Sequence, residues 1–167
     1  DNNTYFNRTW IYANVTVNDT NELNITFMLA NTTAVVNETT LAAGNRSINF
    51  TNLNSNERYF YNVTVRDRAS NSNTTKTRTI VLDSVVPAVS LVYPANNSWI
   101  NSINVTFNFT LTEKNPDECW LYVNASGQWL SVVNNTDPLS GNNNLTINLS
   151  DGTYVWNVWC NDSIGFG

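Results

Sequence analysis

Apolar residues recur at every second position along most of this chain. Ile11, Ala13, Val15 and Val17 alternate with polar neighbours, as do Tyr61, Val63 and Val65; Val105, Phe107, Phe109 and Leu111; Leu145, Ile147 and Leu149; and Trp156, Val158 and Cys160. Successive side chains of an extended strand point to opposite faces, so this period predicts half-buried strands of antiparallel sheets. The runs are short, and polar clusters between them, such as Asn54-Ser55-Asn56 and residues 140–144, are expected to turn. The stretch 33–43 is the one candidate for a helix, and its β-branched content argues against it.

The strands come in two sets. Asn2-Asn3-Thr4-Tyr5, followed by residues 11–17, recurs as Asn96-Asn97-Ser98-Trp99, followed by residues 105–111, at an offset of 94. A second register, at an offset of 95, sets residues 59–67 against residues 154–162. One unit of about 95 residues is present twice, and its short strands suit a seven-stranded β-sandwich.

Asparagine changes the picture most. Asn-x-Ser/Thr sequons start at Asn2, Asn7, Asn14, Asn18, Asn24, Asn31, Asn37, Asn45, Asn49, Asn62, Asn73, Asn96, Asn104, Asn108, Asn124, Asn134, Asn144, Asn148 and Asn161, nineteen in 167 residues. Random placement of the 32 Asn and 34 Ser plus Thr would give about 6 or 7, so composition does not explain the density. Covalent N-glycans and an extracellular or cell-surface location are expected. In Asn14-Val15-Thr16, Asn62-Val63-Thr64 and Asn108-Phe109-Thr110 the Asn and Thr share the face opposite the core residue, so sugars would stand off the outside of each sheet.

Charge and chemistry narrow the partners. The net charge is -5, Lys76 and Lys114 are the only lysines and His is absent, which removes the basic footprint of a nucleic-acid binder and the commonest general base and metal ligand. No apolar run approaches the length of a membrane-spanning helix. The chain begins with neither Met nor a signal-peptide pattern, so a processed chain or a piece of a longer one is expected. Glu113 with Asp117, or Asp137 with Asp151, would have to serve as an acid and base pair, but they sit in turn-like stretches where solvated carboxylates are the ordinary outcome, and no catalytic residue is assigned. Ca2+ is conceivable at residues 67–71, or at Asp162 with Asp83, against the simpler reading that these groups cap turns. No metal ligand and no other cofactor is assigned.

The stretch 149–162, Leu-Ser-Asp-Gly-Thr-Tyr-Val-Trp-Asn-Val-Trp-Cys-Asn-Asp, together with residues 83–94 and 119–124, resembles the tandem immunoglobulin-like or fibronectin-type-III-like repeats of prokaryotic, especially archaeal, cell-surface proteins. The resemblance covers both units and implies two Ig-like antiparallel β-sandwich domains, residues 1–83 and 84–167, with Leu53 and Tyr59, and Leu149 and Tyr154, at the corner before the penultimate strand. It does not choose among spacers, adhesin stalks, filament subunits and enzyme appendages.

By the repeat offsets Cys119 aligns with Ile25 and Cys160 with Val65, so a disulfide in one unit would fill the core site of an aliphatic pair in the other. Beside them, Trp120 and Trp159 align with Thr26 and Thr64 and should both point outward, sparing one face of the second unit from sugar. That face is a candidate contact surface between copies or a platform for a sugar ligand, against the plainer alternative of a pair covered by the chain's own loops or glycans. The offsets also predict that a first edge strand like residues 89–93 is missing from the first unit, and a last one like residues 77–82 from the second. Neighbouring segments or subunits are expected to supply them, in a rigid tandem whose linker, residues 82–88, is stiffened by Pro87. A non-catalytic structural protein assembling end to end with copies of itself is therefore expected, with an adhesin or carbohydrate-binding module as the alternative.

Overall fold

Alternation becomes burial strand by strand. The computed structural model describes residues 2–167. Its first unit contains β1 (Thr4–Phe6), β2 (Ile11–Asn14), β3 (Glu22–Ala30), β4 (Val35–Ala42), β5 (Ser47–Phe50), β6 (Glu57–Asp67), β7 (Ser72–Thr74) and β8 (Arg78–Leu82). The second contains β9 (Ala88–Tyr93), β10 (Asn104–Thr112), β11 (Pro116–Val123), β12 (Leu130–Asn135), β13 (Gly141–Asn148) and β14 (Trp156–Asp162), with a 3-10 turn at Ala125–Gly127. The two units divide at Ser84 and Val85.

In the first unit one sheet has the order β1-β8-β6-β3-β4, with β7 also on β6, and the other is the pair β2-β5. All neighbours are antiparallel except β1 and β8. Ile11, Ala13 and Phe50 from the small sheet meet Ile25, Phe27, Leu29, Tyr59, Val63, Ile80 and Leu82 from the large one. Each Val, Ile, Leu or Phe side chain among them taken fully out of water contributes about 1.5–3 kcal/mol, which offsets the cost of ordering the strands.

The second unit packs the sheet β13-β10-β9 against β12-β11-β14. Val105, Phe107, Phe109, Leu111 and Leu145 face Cys119, Leu121, Val123, Val158 and Cys160 across its core. Both units are therefore all-β antiparallel sandwiches. The corner tyrosines act alike: the Tyr59 hydroxyl donates to the Asn54 carbonyl at 3.1 Å, and the Tyr154 hydroxyl to the Ser150 carbonyl at 3.0 Å. Burial pushes the Tyr59 phenol above its ordinary value.

Two local expectations meet different outcomes. The stretch 33–43 holds strand β4, Val35–Ala42, in keeping with its β-branched content. Residues 140–144, expected to turn, instead enter β13 at Gly141, and Asn142, Asn143 and Asn144 pair with Thr110, Phe109 and Asn108 of β10. The reason is Asn143, which is buried, donates to the Leu139 and Gly141 carbonyls and accepts from the Leu139 amide, so a polar residue closes the strand start from within.

Candidate functional surfaces

The sequon asparagines lie at the surface. None of the nineteen is buried: Asn24, Asn31, Asn62, Asn108, Asn124 and Asn161 are half-buried and the other thirteen exposed. Asn143, the buried asparagine, begins no sequon. On the outer face of β10 and β13, Asn104 stands opposite Asn148 and Asn108 opposite Asn144, with the Thr106 and Thr146 hydroxyls hydrogen-bonded at 3.0 Å between them. Directly opposed side chains start about 5 Å apart, so four sequons share one small area. A depression of about 340 Å³ beside them is lined by Val92, Asn108, Phe109, Asn142, Asn143 and Asn144, amides and apolar groups that do not exchange protons near neutral pH.

The carboxylates singled out by the sequence serve turns and surface contacts. Asp67 accepts from the Asn71 amide through Oδ1 and from Asn71 Nδ2 through Oδ2, both at 2.8 Å. The Asn71 side chain is the main cause of a carboxyl held below its ordinary range. Asp162, at the matching turn, accepts from Ile164 and Phe166 through Oδ1 at 2.8 and 2.9 Å. Glu113 Oε1 accepts from the Lys114 and Asn115 amides, and Asp117 from Asn161 Nδ2. Asp137 and Asp151 are exposed. Among the described residues no group of three or more His, Cys, Asp or Glu is placed to hold a metal ion.

Sequence reasoning missed two charged contacts. Arg46 donates to the buried Glu22 at 2.5 Å, and this hydrogen bond is the first cause of the lowered Glu22 carboxyl. Arg8 lies over the rings of Phe6 and Trp10, at 3.9 and 4.1 Å from their centres. The segment bends after β1, with the Arg8 amide donating to the Phe6 carbonyl at 3.1 Å, so no strand period in the sequence announced the contact.

Beneath the outer face of the second unit, Cys119 and Cys160 are direct partners on β11 and β14 and form a disulfide. Ile25 and Val65 are partners at the same place on β3 and β6. One register further, Trp120 pairs with Trp159, ring centres 4.9 Å apart and planes tilted by 38°, where the first unit pairs Thr26 with Thr64. Tyr122 and Trp129 stack alongside at 6.1 Å. Trp159 keeps 41% and Trp129 49% of its surface exposed, so the strip reaches solvent.

The strand edges differ in a matching way. In the first unit β6 runs for 11 residues because β8 pairs with its first part and β7 with its last. Its counterpart β14 has 7 residues and pairs only with β11 among the described residues. Conversely, β10 extends to Thr112 with β13 along it to Leu111 and β9 along its second half, whereas β2, paired only with the four residues of β5 among the described residues, stops at Asn14 although the alternation continues to Val17. Phe109 and Leu111 are buried; their counterparts Val15 and Val17 are only partly so. Trp99, counterpart of the β1 residue Tyr5, lies outside any strand and is 98% exposed.

These sandwiches, with their corner tyrosines and alternating strands, are of the immunoglobulin and fibronectin III type. The chain is similar in structure to the fibronectin(III)-like modules of Clostridium thermocellum CbhA (TM-score 0.40, 11% identity, 99% of this chain and 83% of that one) and to the amphioxus IgVJ-C2 molecule (TM-score 0.46, 10% identity, 95% and 99%). It is also similar to the chicken CNTN1 FN1-FN3 domains (TM-score 0.42, 11% identity), where 95% of this chain spans 58% of that one. No protein-family model matches the sequence, and no curated protein does. The likenesses are distant, and the fold is defined by the register and burial described above.

Proposed function

We propose that this chain is a non-catalytic, N-glycosylated structural protein of the cell exterior whose partners are copies of itself, joined end to end into a filament or array. The observation that carries the reading is the reciprocity of the two units: the first has the strand β8 that would lengthen β14, and the second has the strand β9 that would lengthen β2. A strand offered across that boundary would satisfy unpaired backbone groups and cover Val15, Val17 and the segment 152–155. Exposed or half-buried sequons on every sheet support a sugar coat, which keeps bare edges from pairing indiscriminately. The disulfide suits an oxidising compartment. No helix among the described residues is long and apolar enough to cross a membrane. The reading calls on no nucleic acid, metal or cofactor.

Sedimentation of the glycosylated chain over a wide concentration range, with and without excess peptide spanning residues 76–84, tests the proposal. Concentration-dependent assembly that the peptide blocks is expected; a monomer at every concentration, indifferent to the peptide, would overturn it. The Trp120, Trp159 and Trp129 strip supports a second reading, an adhesin or carbohydrate-binding module. That reading requires the isolated monomer to bind free sugars, which the structural reading does not.

A further inference from the structure

The row of outward residues across β12, β11 and β14 reads Asn134, Trp120, Trp159, because Asn134 is the register partner of Trp120 and Trp120 that of Trp159. In the first unit the same row is Thr40, Thr26, Thr64 and Thr74, tied by hydroxyl hydrogen bonds of 2.8 Å between the first two and 2.9 Å between the last two. The second unit thus replaces a self-satisfied hydroxyl ladder with two indoles and, at the end of the row, an asparagine that begins a sequon.

The side chain of Asn134 leans across to β11, reaching a residue two places from Trp120. Its exposed amide donates through Nδ2 to Glu118 Oε1, and Glu118, like Trp120, belongs to the outward set of β11. Nδ2 is the atom that carries an N-linked sugar, and the proton left after glycosylation is enough to keep the Glu118 hydrogen bond. The bond to Glu118 thus occupies one position on Nδ2, and a sugar on the other starts from the register neighbour of Trp120. Strands are about 4.8 Å apart, close to the length of one pyranose ring, so successive sugars meet successive strands. The axial C–H groups of a pyranose carry partial positive charge and favour the negative face of an indole, and stacking also removes apolar ring surface from water.

We propose that Trp120 and Trp159 form a docking platform for the chain's own N-glycan, rooted at Asn134. The sugar chain folds back over the two indoles and covers the one aromatic strip of this sheet. This rests on the glycosylation in the reading above and specifies its role at one site: the platform is occupied from within, so it is neither open to free sugars nor a contact between copies.

The test uses the glycosylated chain as cells produce it. Glycopeptide mapping establishes occupancy at Asn134 and at Asn144, an exposed sequon whose register partner is Asn108 rather than an aromatic residue. Proton–carbon NMR correlation spectra then compare the sugar C–H resonances of the intact protein with those of two variants. Thr136→Ala removes the sequon while leaving Asn134 and Glu118 in place; Trp120→Thr restores the residue of the first unit. The expected result is a set of ring-current-shifted upfield sugar resonances that disappears in both variants, while the resonances of the Asn144 glycan stay where they are. Sugars on Asn134 that resonate like those on Asn144, or an unoccupied Asn134 among occupied sequons, would overturn the proposal and leave the glycosylated coat standing. No glycan at any sequon would overturn the coat itself.

Discussion

The two units share one plan and differ at their edges, their core bridge and their outer face. Where β9 lies along β10, the alternating residues Phe109 and Leu111 are buried to 1% exposure each; where β2 has no such neighbour, Val15 and Val17 remain partly in water. Where β8 lies along β6, the strand starts at Glu57; where β14 has no such neighbour, it starts at Trp156, four residues later in the equivalent frame, since Glu57 corresponds to Gly152. Strand length in this protein therefore follows the presence of a neighbour rather than the local pattern. Each unit contains a strand whose counterpart the other does not show among the described residues, which is the basis of the proposed joining of copies.

The sharpest way to break that comparison is to truncate counterparts. Phe109→Ala should destabilise the second unit by about 3–5 kcal/mol, the usual cost of emptying a fully packed aromatic site. Its counterpart Val15→Ala should cost the first unit no more than about 1 kcal/mol in the isolated chain, because that site is already half-open. Denaturant titration followed by unit-specific NMR signals separates the two, and a larger cost for Val15→Ala in assembled material would locate the covering strand.

The core bridge comes next. Reducing Cys119–Cys160, which closes a loop with a sequence separation of 41, should lower the stability of the second unit by about 3–4 kcal/mol and leave the first unchanged. Equilibrium unfolding with and without reductant measures this, and equal effects on both units would contradict the assignment of the bridge to one of them.

The corner tyrosines should show likeness instead of difference. Tyr59→Phe and Tyr154→Phe each delete one hydroxyl donor to a carbonyl at the same corner, so each should cost about 0.5–1.5 kcal/mol. A marked inequality in thermal unfolding would mean that the corners are not equivalent.

Acid should produce the smallest effect. The Glu22 and Asp67 carboxyls are held below their ordinary values of 4.5 and 3.8, the first by the Arg46 guanidinium and the second by the Asn71 side chain. A folded value below the unfolded one means that the stabilisation is present above the ordinary value and is lost as pH falls through it toward the folded one. The first unit should accordingly weaken as pH drops below about 4.5, and Arg46→Met with Asn71→Ala should flatten that dependence in melts across the acid range.

Much of this was legible in the residues. The repeat offsets alone set Cys119 and Cys160 on the site of Ile25 and Val65, and Trp120 and Trp159 on that of Thr26 and Thr64, because a period-two pattern leaves little freedom of register once one face is buried. The ends of β2 and β14 were not legible, since a strand ends where its partner ends, and partnership is a property of the whole sandwich. Nor was the start of β13: Asn142, Asn143 and Asn144 read as turn residues, and it is pairing with β10, helped by the bonds from Asn143 to the Leu139 and Gly141 carbonyls, that makes the stretch a strand. The ion pair of Glu22 and Arg46 spans a hairpin, its partners 24 positions apart in the chain, and no local pattern announces it.

Electron microscopy of the native, cell-derived material, at a resolution that traces single strands and attached sugars, tests the central claim most directly. The account predicts regular polymers in which a strand from a neighbouring copy lies along β14 on the side away from β11, or along β2 on the side away from β5, with glycans on the outward asparagines. Isolated monomers, or copies whose β2 and β14 edges stay bare or are closed by the same chain alone, would contradict it.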